Sequence, residues 1–460
     1  MSRGIMETAG TVIDTDATIN ERKIGPLQLL VAVLGACALF VEGFDTSAIG
    51  YIAPQITRAW SVPSDTLGTI LTADMVGLLL GYLFVAPFSA RFGHKRMVVV
   101  CTTFFGLMTF LTITSSNVET LIFFRFLTGI GVGGAMPSAV ALTGEYIPGR
   151  VRSTSVTLIY IGFSVGQIGA GVVSGLLLEA FSWRAVLAFG GIVTLLFAGL
   201  FVFALPESVE YLVNRGNDRA RALRIFRRVA PELALADSVR LVSGGQGMRK
   251  VAVRQLLEDG RAFGTILVWT GMFMNLMIYF FMQKWLTSLL VMVGLSQQDA
   301  IVATTVGLAG GIVAAFILGP LMDRFGPYAV VSGLFAVSAL ACVAMGSVLS
   351  MPASLLITAM SLVVGFCLSG GQKANNALSV YFYPTALRGT GLGWSLGIGR
   401  IGGVLGPYVA GVLLTQGWSP SGLFYIAAVP MMFGAAAIAL MGQSYGHGAT
   451  RRELAQSQKV

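Results

Sequence analysis

Long apolar runs alternate with short polar breaks along nearly the whole chain. Runs long enough to cross a bilayer, about 20 residues each, lie near 27–53, 66–88, 97–115, 119–142, 155–179 and 185–205. After a polar stretch, six more lie near 263–291, 300–322, 328–349, 353–379, 390–415 and 420–442. The pattern predicts an all-α membrane protein with twelve membrane helices. The implied division is a polar tail over 1–24, a six-helix bundle over 25–205, a basic linker over 206–262, a second bundle over 263–442 and a tail over 443–460.

The halves repeat. Ala86-Pro-Phe-Ser-Ala-Arg-Phe-Gly93 matches Gly319-Pro-Leu-Met-Asp-Arg-Phe-Gly326, and Gly166-Gln-Ile-Gly169 matches Gly399-Arg-Ile-Gly402, both at an offset of 233 residues. Pro148 and Arg152 match Pro384 and Arg388 at an offset of 236. A steady offset implies two copies of one six-helix unit. In proteins built this way the binding site lies near the midplane between the repeats, which rock around it.

Composition agrees with the pattern. The chain is 55% hydrophobic and 11% charged, against about 25% charged in soluble domains. The net charge of +9 would suggest nucleic acid in a soluble protein. Here the bases cluster in alternate loops: Arg91, Lys95 and Arg96, then Arg150 and Arg152, Arg324, Arg388, and the arginines of 215–228. Arg58 and Arg184 are the main exceptions. That asymmetry places both termini in the cytoplasm and leaves nucleic acid without support. The linker reads as amphipathic helical pieces at the inner surface, in contact with anionic lipid or with a regulatory partner. The first run is too long for a signal peptide. Cys37, Cys101, Cys342 and Cys367 all lie inside apolar runs without metal spacing, as structural thiols do. No phosphate loop, metal cluster or nucleophile triad is legible, and His94 and His447 fall in loops and tails.

The charges inside the runs are the informative residues, because an ionised side chain at bilayer depth costs roughly 3 kcal/mol on insertion scales. Glu42 and Asp45 lie three residues apart in the first run, on one helix face. Either can carry a proton, or pair statically with a base that ties two helices together. Asp74 lies too deep to snorkel and can bridge to a base in the other half or join a relay. Arg125 can bind a carboxylate bidentately, pair with Asp45 or snorkel. Arg400 lies mid-run, where snorkelling is difficult, and is a carboxylate-binding candidate. Lys284 stands at the repeat position of Asp45, offset 239, which suggests an Asp45–Lys284 pair. Lys373 brings the bases to four against three acids, a surplus that suits an anionic substrate, even one with two carboxylates; internal neutralisation is the alternative. Asn376 can bond a ring hydroxyl or a neighbouring helix. Candidate gate residues at the inner ends are Arg91, Glu145, Arg152, Asp323, Arg324 and Arg388, with Glu145 and Arg152 forming either a gate or a loop salt bridge.

Several stretches narrow the reading. Six plus six helices with Asp323-Arg-Phe-Gly326 resemble the major facilitator superfamily. Glu42-Gly-Phe-Asp45 with Ile52-Ala-Pro54, Arg125-Phe-Leu-Thr-Gly-Ile-Gly131 with Met136-Pro137, Gly144-Glu-Tyr-Ile-Pro148, and Pro384-Thr-Ala-Leu-Arg-Gly-Thr-Gly391 with Gly393-Trp-Ser-Leu-Gly-Ile-Gly-Arg-Ile-Gly402 resemble its aromatic acid:proton symporters. The resemblance implies uptake of an aromatic acid anion such as a hydroxybenzoate, driven by protons with no other cofactor, by a monomer in a bacterial cytoplasmic membrane. Phe44 and Trp394, inside the matched motifs, become candidate ring-stacking residues. The chain departs from the pattern in having Ala90 where the first inner-loop motif carries Asp, and Glu42 where Asp is usual. Asp74, Lys284 and Lys373 are likewise not expected from it. Rivals are a sugar or keto-acid porter of the same fold, a drug antiporter, and a transporter-like sensor signalling through the linker.

Overall fold

The computed structural model describes residues 12–457 apart from 216–217, 232, 234–238, 243–252, 352 and 385–386, and leaves out the side chains of 152–154, 156–158, 215 and 446–457. Among the described residues, twelve helices are long and apolar enough to span a membrane. Helix 1 is Pro26–Trp60, helix 2 Ser64–Phe92, helix 3 His94–Thr114, helix 4 Val118–Tyr146, helix 5 Gly149–Ala180 and helix 6 Trp183–Ala204. Helix 7 is Ala262–Met292, helix 8 Gln297–Phe325, helix 9 Pro327–Val348, helix 10 Ser354–Phe382, helix 11 Arg388–Thr415 and helix 12 Pro420–Ser457. Helix 12 thus runs past the apolar run that predicts it. Its polar extension leaves the hydrophobic stretch, so hydropathy cannot register it.

Small residues set the helix spacing, as in membrane bundles generally. A Cβ on Gly166 of helix 5 would lie 2.0 Å from the Phe40 carbonyl oxygen of helix 1, and one on Gly43 of helix 1 would lie 2.0 Å from that of Phe163. The same glycine row turns to the other half further on, with Gly171 and Gly175 against Thr305, Gln298 and Ile301 of helix 8.

The two halves close on each other at the end of the bundle opposite the termini. Gly68 of helix 2 abuts Gly411 of helix 11, the Asp65 N–H donates to Thr415 Oγ1 at 2.9 Å, and Tyr51 Oη lies 3.1 Å from Thr305 Oγ1. At the end that carries the termini, Arg91, Phe92, Asp323, Arg324 and Arg388 are exposed.

The polar segments hold more structure than their sequence suggests. Val12–Asp14 pairs in parallel with Arg240–Val242, a small two-stranded element beside the twelve membrane helices of the all-α fold. Thr15–Glu21 is a short helix, and Asn20 Oδ1 accepts from the Gly149 N–H. The linker contributes Val209–Arg215 and Arg219–Val229, the latter burying Ala222, Leu223, Phe226 and Val229. These contacts tie tail and linker to the first bundle.

Candidate functional site

Two groups of charges lie at mid-depth, and they differ in access. The first is dry. Arg125 of helix 4 and Lys284 of helix 7 are both 0% exposed, Asp45 of helix 1 is 3% and Asp74 of helix 2 is 4%. Arg125 grips Asp45 with both terminal nitrogens, Nη1 to Oδ1 at 3.0 Å and Nη2 to Oδ2 at 2.8 Å. Thr109 of helix 3 adds a third donor to Oδ1 at 2.8 Å. Arg125 Nη2 also reaches Asp74 Oδ2 at 3.3 Å. Lys284 Nζ donates to that same oxygen at 2.7 Å and to the Thr46 carbonyl at 2.9 Å. Helix 4 can come this close to helix 2 because Gly129 faces the Asp74 carbonyl, where a Cβ would lie 2.0 Å away.

Two acids and two bases make this group neutral, which is how charges persist in hydrocarbon. It also joins the halves, since Lys284 belongs to the second bundle and its partners to the first. The direct partner of Lys284 is Asp74, which corrects the Asp45–Lys284 pair suggested by the repeat offset. Asp45 is already saturated by Arg125 and Thr109. Gln283, next to Lys284, adds a cross-half bond from Nε2 to Ser47 Oγ at 2.9 Å.

Removing the Lys284 ammonium should loosen the closed end. We expect Lys284→Met to raise labelling of Thr305→Cys by a membrane-impermeant thiol reagent about tenfold, equivalent to about 1.4 kcal/mol in the opening equilibrium. Unchanged labelling in a background lacking the four native cysteines would show that the pair is not a latch.

The second group is wetter. Arg400 of helix 11 is half-buried, with its Cζ 5.6 Å from the ring centroids of both Tyr82 and Phe280. A guanidinium over aromatic faces is stabilised without being neutralised. Tyr82 lies in a π-helical turn, Gly81–Val85, that interrupts helix 2; such turns often mark functional sites. The electrostatic neighbours of Arg400 are Tyr82, Glu42, Tyr160 and Tyr279. Glu42 is 2% exposed, and its Oε1 is buried without a hydrogen-bond partner. Among the described residues, no carboxylate comes within ion-pair distance of Arg400. Tyr279 exchanges hydrogen bonds with Gln167 of helix 5, Gln167 Nε2 lying 3.1 Å from its Oη. Tyr82 and Tyr160 carry no mark of their own in the sequence, whereas Phe280 stands one helical turn from Lys284; the nearness of all three to Arg400 is a product of the fold.

The other candidates are dispersed. Lys373 of helix 10 donates to the Gly311 carbonyl of helix 8 and to Ser369 Oγ, the latter at 3.3 Å. Asn376 is half-buried on helix 10 with its Oδ1 unpartnered. Phe44 is buried inside the first bundle against Phe189 and Gly190 of helix 6. Trp394 is 44% exposed and stacks on Trp269 at 6.1 Å near the end that carries the termini. Neither ring reaches the charged centre, because each projects from the far side of its helix. His94 has a partner that its sequence context does not show: Nε2 lies 3.2 Å from Glu145 Oε1. Arg152, the other partner proposed for Glu145, has its side chain outside the described residues. Glu207 Oε1 accepts from the Lys95 N–H at 2.9 Å and its carboxylate lies against Gly93, so the linker side holds the first inner loop. Arg91 lies over the Phe92 ring, and Arg388 Nε donates to the Tyr383 carbonyl at 3.3 Å.

Comparison with known proteins gives a consistent picture. The Major Facilitator Superfamily profile matches residues 35–303 and 262–457. The 4-hydroxybenzoate transporter PcaK of Pseudomonas aeruginosa is 34% identical, over 94% of this chain and 96% of its own. The gallate transporter of Pseudomonas putida is 34% identical over 95% and 96%. Among solved structures, the xylose transporter XylE from E. coli superposes with a TM-score of 0.69 at 16% identity, over 91% of this chain and 98% of that one; a likeness at that identity speaks for the fold.

Proposed function

The chain belongs to the Major Facilitator Superfamily, and from that premise we propose that it takes up an aromatic carboxylate together with protons by alternating access around Arg400. The relatives named for 4-hydroxybenzoate and gallate transport, similar over almost the whole chain, support the substrate class. The observation that carries the reading is Arg400 itself: a half-buried guanidinium at mid-depth, set between two aromatic rings, with no carboxylate at ion-pair distance among the described residues. A planar fork of donors matches a carboxylate, and the flanking rings suit an aromatic body. Neutral sugars have no use for it.

In this reading the dry group holds the halves together and the wet group does the binding. Glu42 is the proton carrier. With Glu42 ionised, it offsets Arg400; when a substrate anion takes Arg400, Glu42 takes a proton, and the local charge is unchanged. With both termini cytoplasmic, as the basic loops indicate, the closed end is the outer one and this state faces inward. The host membrane is the bacterial cytoplasmic membrane, the unit a monomer, and no cofactor beyond the coupling proton is invoked.

Proteoliposomes with an inward proton gradient test the proposal. Labelled 4-hydroxybenzoate, gallate or benzoate should accumulate, and a protonophore should abolish the accumulation. Accumulation of none of the three, or indifference to the protonophore, refutes it. Arg400→Gln should lower initial uptake at least tenfold at low substrate, since a charge-assisted hydrogen bond contributes about 1.5–3 kcal/mol. Arg400→Lys should not restore it, because a point charge lacks both the fork and the stacking plane.

A further inference from the structure

The charge tally leaves one base over. Glu42, Asp45 and Asp74 face Arg125, Lys284, Arg400 and Lys373 in the membrane interior. Asp45 and Asp74 neutralise Arg125 and Lys284, and Glu42 is an electrostatic neighbour of Arg400. Lys373 has no carboxylate at ion-pair distance among the described residues. Its two acceptors are the Gly311 carbonyl and Ser369 Oγ, so one of its three N–H donors remains to be used.

This seat is built. A Cβ at Gly311 would lie 2.2 Å from Ser369 Oγ, so only glycine leaves room for the Ser369 side chain beside the helix 8 backbone that Lys373 reaches. Gly311 stands halfway along helix 8 and Arg400 near the middle of helix 11, which puts the two cations at similar depth. Helices 7, 8 and 10 enclose a small cleft walled by Tyr279, Gln283, Thr304, Ser361 and Ser369 and otherwise by apolar side chains and glycines. Tyr279 belongs to both regions, as a wall of this cleft and an electrostatic neighbour of Arg400. Gln283 Oε1, also on the wall, is buried without a partner.

Resting on the aromatic-acid reading above, we propose that Lys373, held by Gly311 and Ser369, forms a second anion subsite, so that this transporter prefers aromatic acids carrying two carboxylates. One carboxylate binds Arg400 and the other completes the coordination of Lys373. The loaded interior supports this. With Glu42 protonated, a dianion balances the two bases that Asp45 and Asp74 leave over, whereas a monoanion leaves one positive charge in low dielectric.

The test is counterflow, which removes the membrane potential that opposes entry of a net negative charge. Proteoliposomes preloaded with unlabelled substrate take up labelled 4-hydroxybenzoate, gallate or benzoate, and phthalate, isophthalate and terephthalate are added as competitors. At least one diacid should compete more strongly than benzoate does. Lys373→Met should raise the ratio of that diacid's inhibition constant to benzoate's about tenfold, Ser369→Ala should move it in the same direction by less, and Lys373→Arg should restore it. If no diacid competes, or if the ratio is the same in Lys373→Met as in the unaltered protein, the second subsite does not exist. If none of the three labelled monoacids exchanges in the unaltered protein, the aromatic-acid reading falls first and the subsite with it.

Discussion

Arg125→Met should abolish uptake, by at least a hundredfold, and lower the stability of the protein by about 3–5 kcal/mol, the usual consequence of breaking a buried ion pair from one side. The side chain is 0% exposed and supplies two of the three donors to Asp45 as well as one to Asp74. Without it, Asp45 keeps only Thr109, and two carboxylates remain in hydrocarbon against a single ammonium. Asp45→Asn alone should be nearly as damaging, since it leaves the guanidinium with Asp74 Oδ2 as its only described ionic contact. The double variant Asp45→Asn with Arg125→Met should recover much of the lost stability, because both members of the pair are gone, while transport stays absent. Thermal unfolding in detergent and binding of labelled substrate measure the two effects separately. A double variant no more stable than Arg125→Met would mean that the residues are not energetically coupled, and the neutral group would have to be redrawn.

What was legible in the chain follows from how lipid treats each kind of residue. Lipid forbids unpaired backbone polar groups, so spans appear as apolar runs, and the sequence shows twelve of them. It makes buried charges costly, so Glu42, Asp45, Asp74, Arg125, Lys284, Lys373 and Arg400 stood out individually. Which charge meets which was legible only in part: Arg125 with Asp45, and Asp74 with a base of the other half, were among the open alternatives and both contacts form, but the identity of that base was not given. A pairing depends on the rotation of each helix, and the repeat offset that placed Lys284 opposite Asp45 says nothing about rotation; the ammonium comes instead to Asp74 Oδ2 at 2.7 Å. Motif membership was also a poor guide to position. Phe44 adjoins Asp45 in sequence and yet packs on helix 6, since neighbours on a helix point about 100° apart. Trp394 lies inside a matched motif and stacks on Trp269 at the periphery. The residues that frame Arg400, Tyr82 and Phe280, come from helices far apart in sequence; Phe280 is marked only by its nearness to Lys284, and nothing local marks Tyr82. The strand pair of tail and linker escaped because each strand has three residues, too few for a period to show.

The division between a dry group and a wet one changes which acid is best suited to carry the proton. Asp45 is the more prominent in sequence, but both of its oxygens are occupied by the three donors from Arg125 and Thr109. Glu42 has an unpartnered oxygen and faces a cation that solvent does reach. The charged and titratable groups around it are Arg400 on helix 11, Asp45 on its own helix, Tyr82 on helix 2 and Tyr160 on helix 5. A substrate anion on Arg400 would remove the positive field that favours ionised Glu42 and so draw a proton onto it, while departure of the substrate would release it. Glu42→Gln mimics the protonated form permanently. It should therefore still bind substrate and exchange it across the membrane in counterflow, with little dependence on pH, yet fail to accumulate it under a proton gradient. Co-transport of one proton with one monoanion moves no net charge, so the pH gradient alone drives it: two pH units supply about 2.7 kcal/mol, or about a hundredfold in concentration, and a decoupled carrier is readily told from a coupled one. If Glu42→Gln still accumulates substrate against its gradient, the coupling proton rides elsewhere, and Asp74, whose Oδ1 is also buried and unpartnered, becomes the residue to replace next.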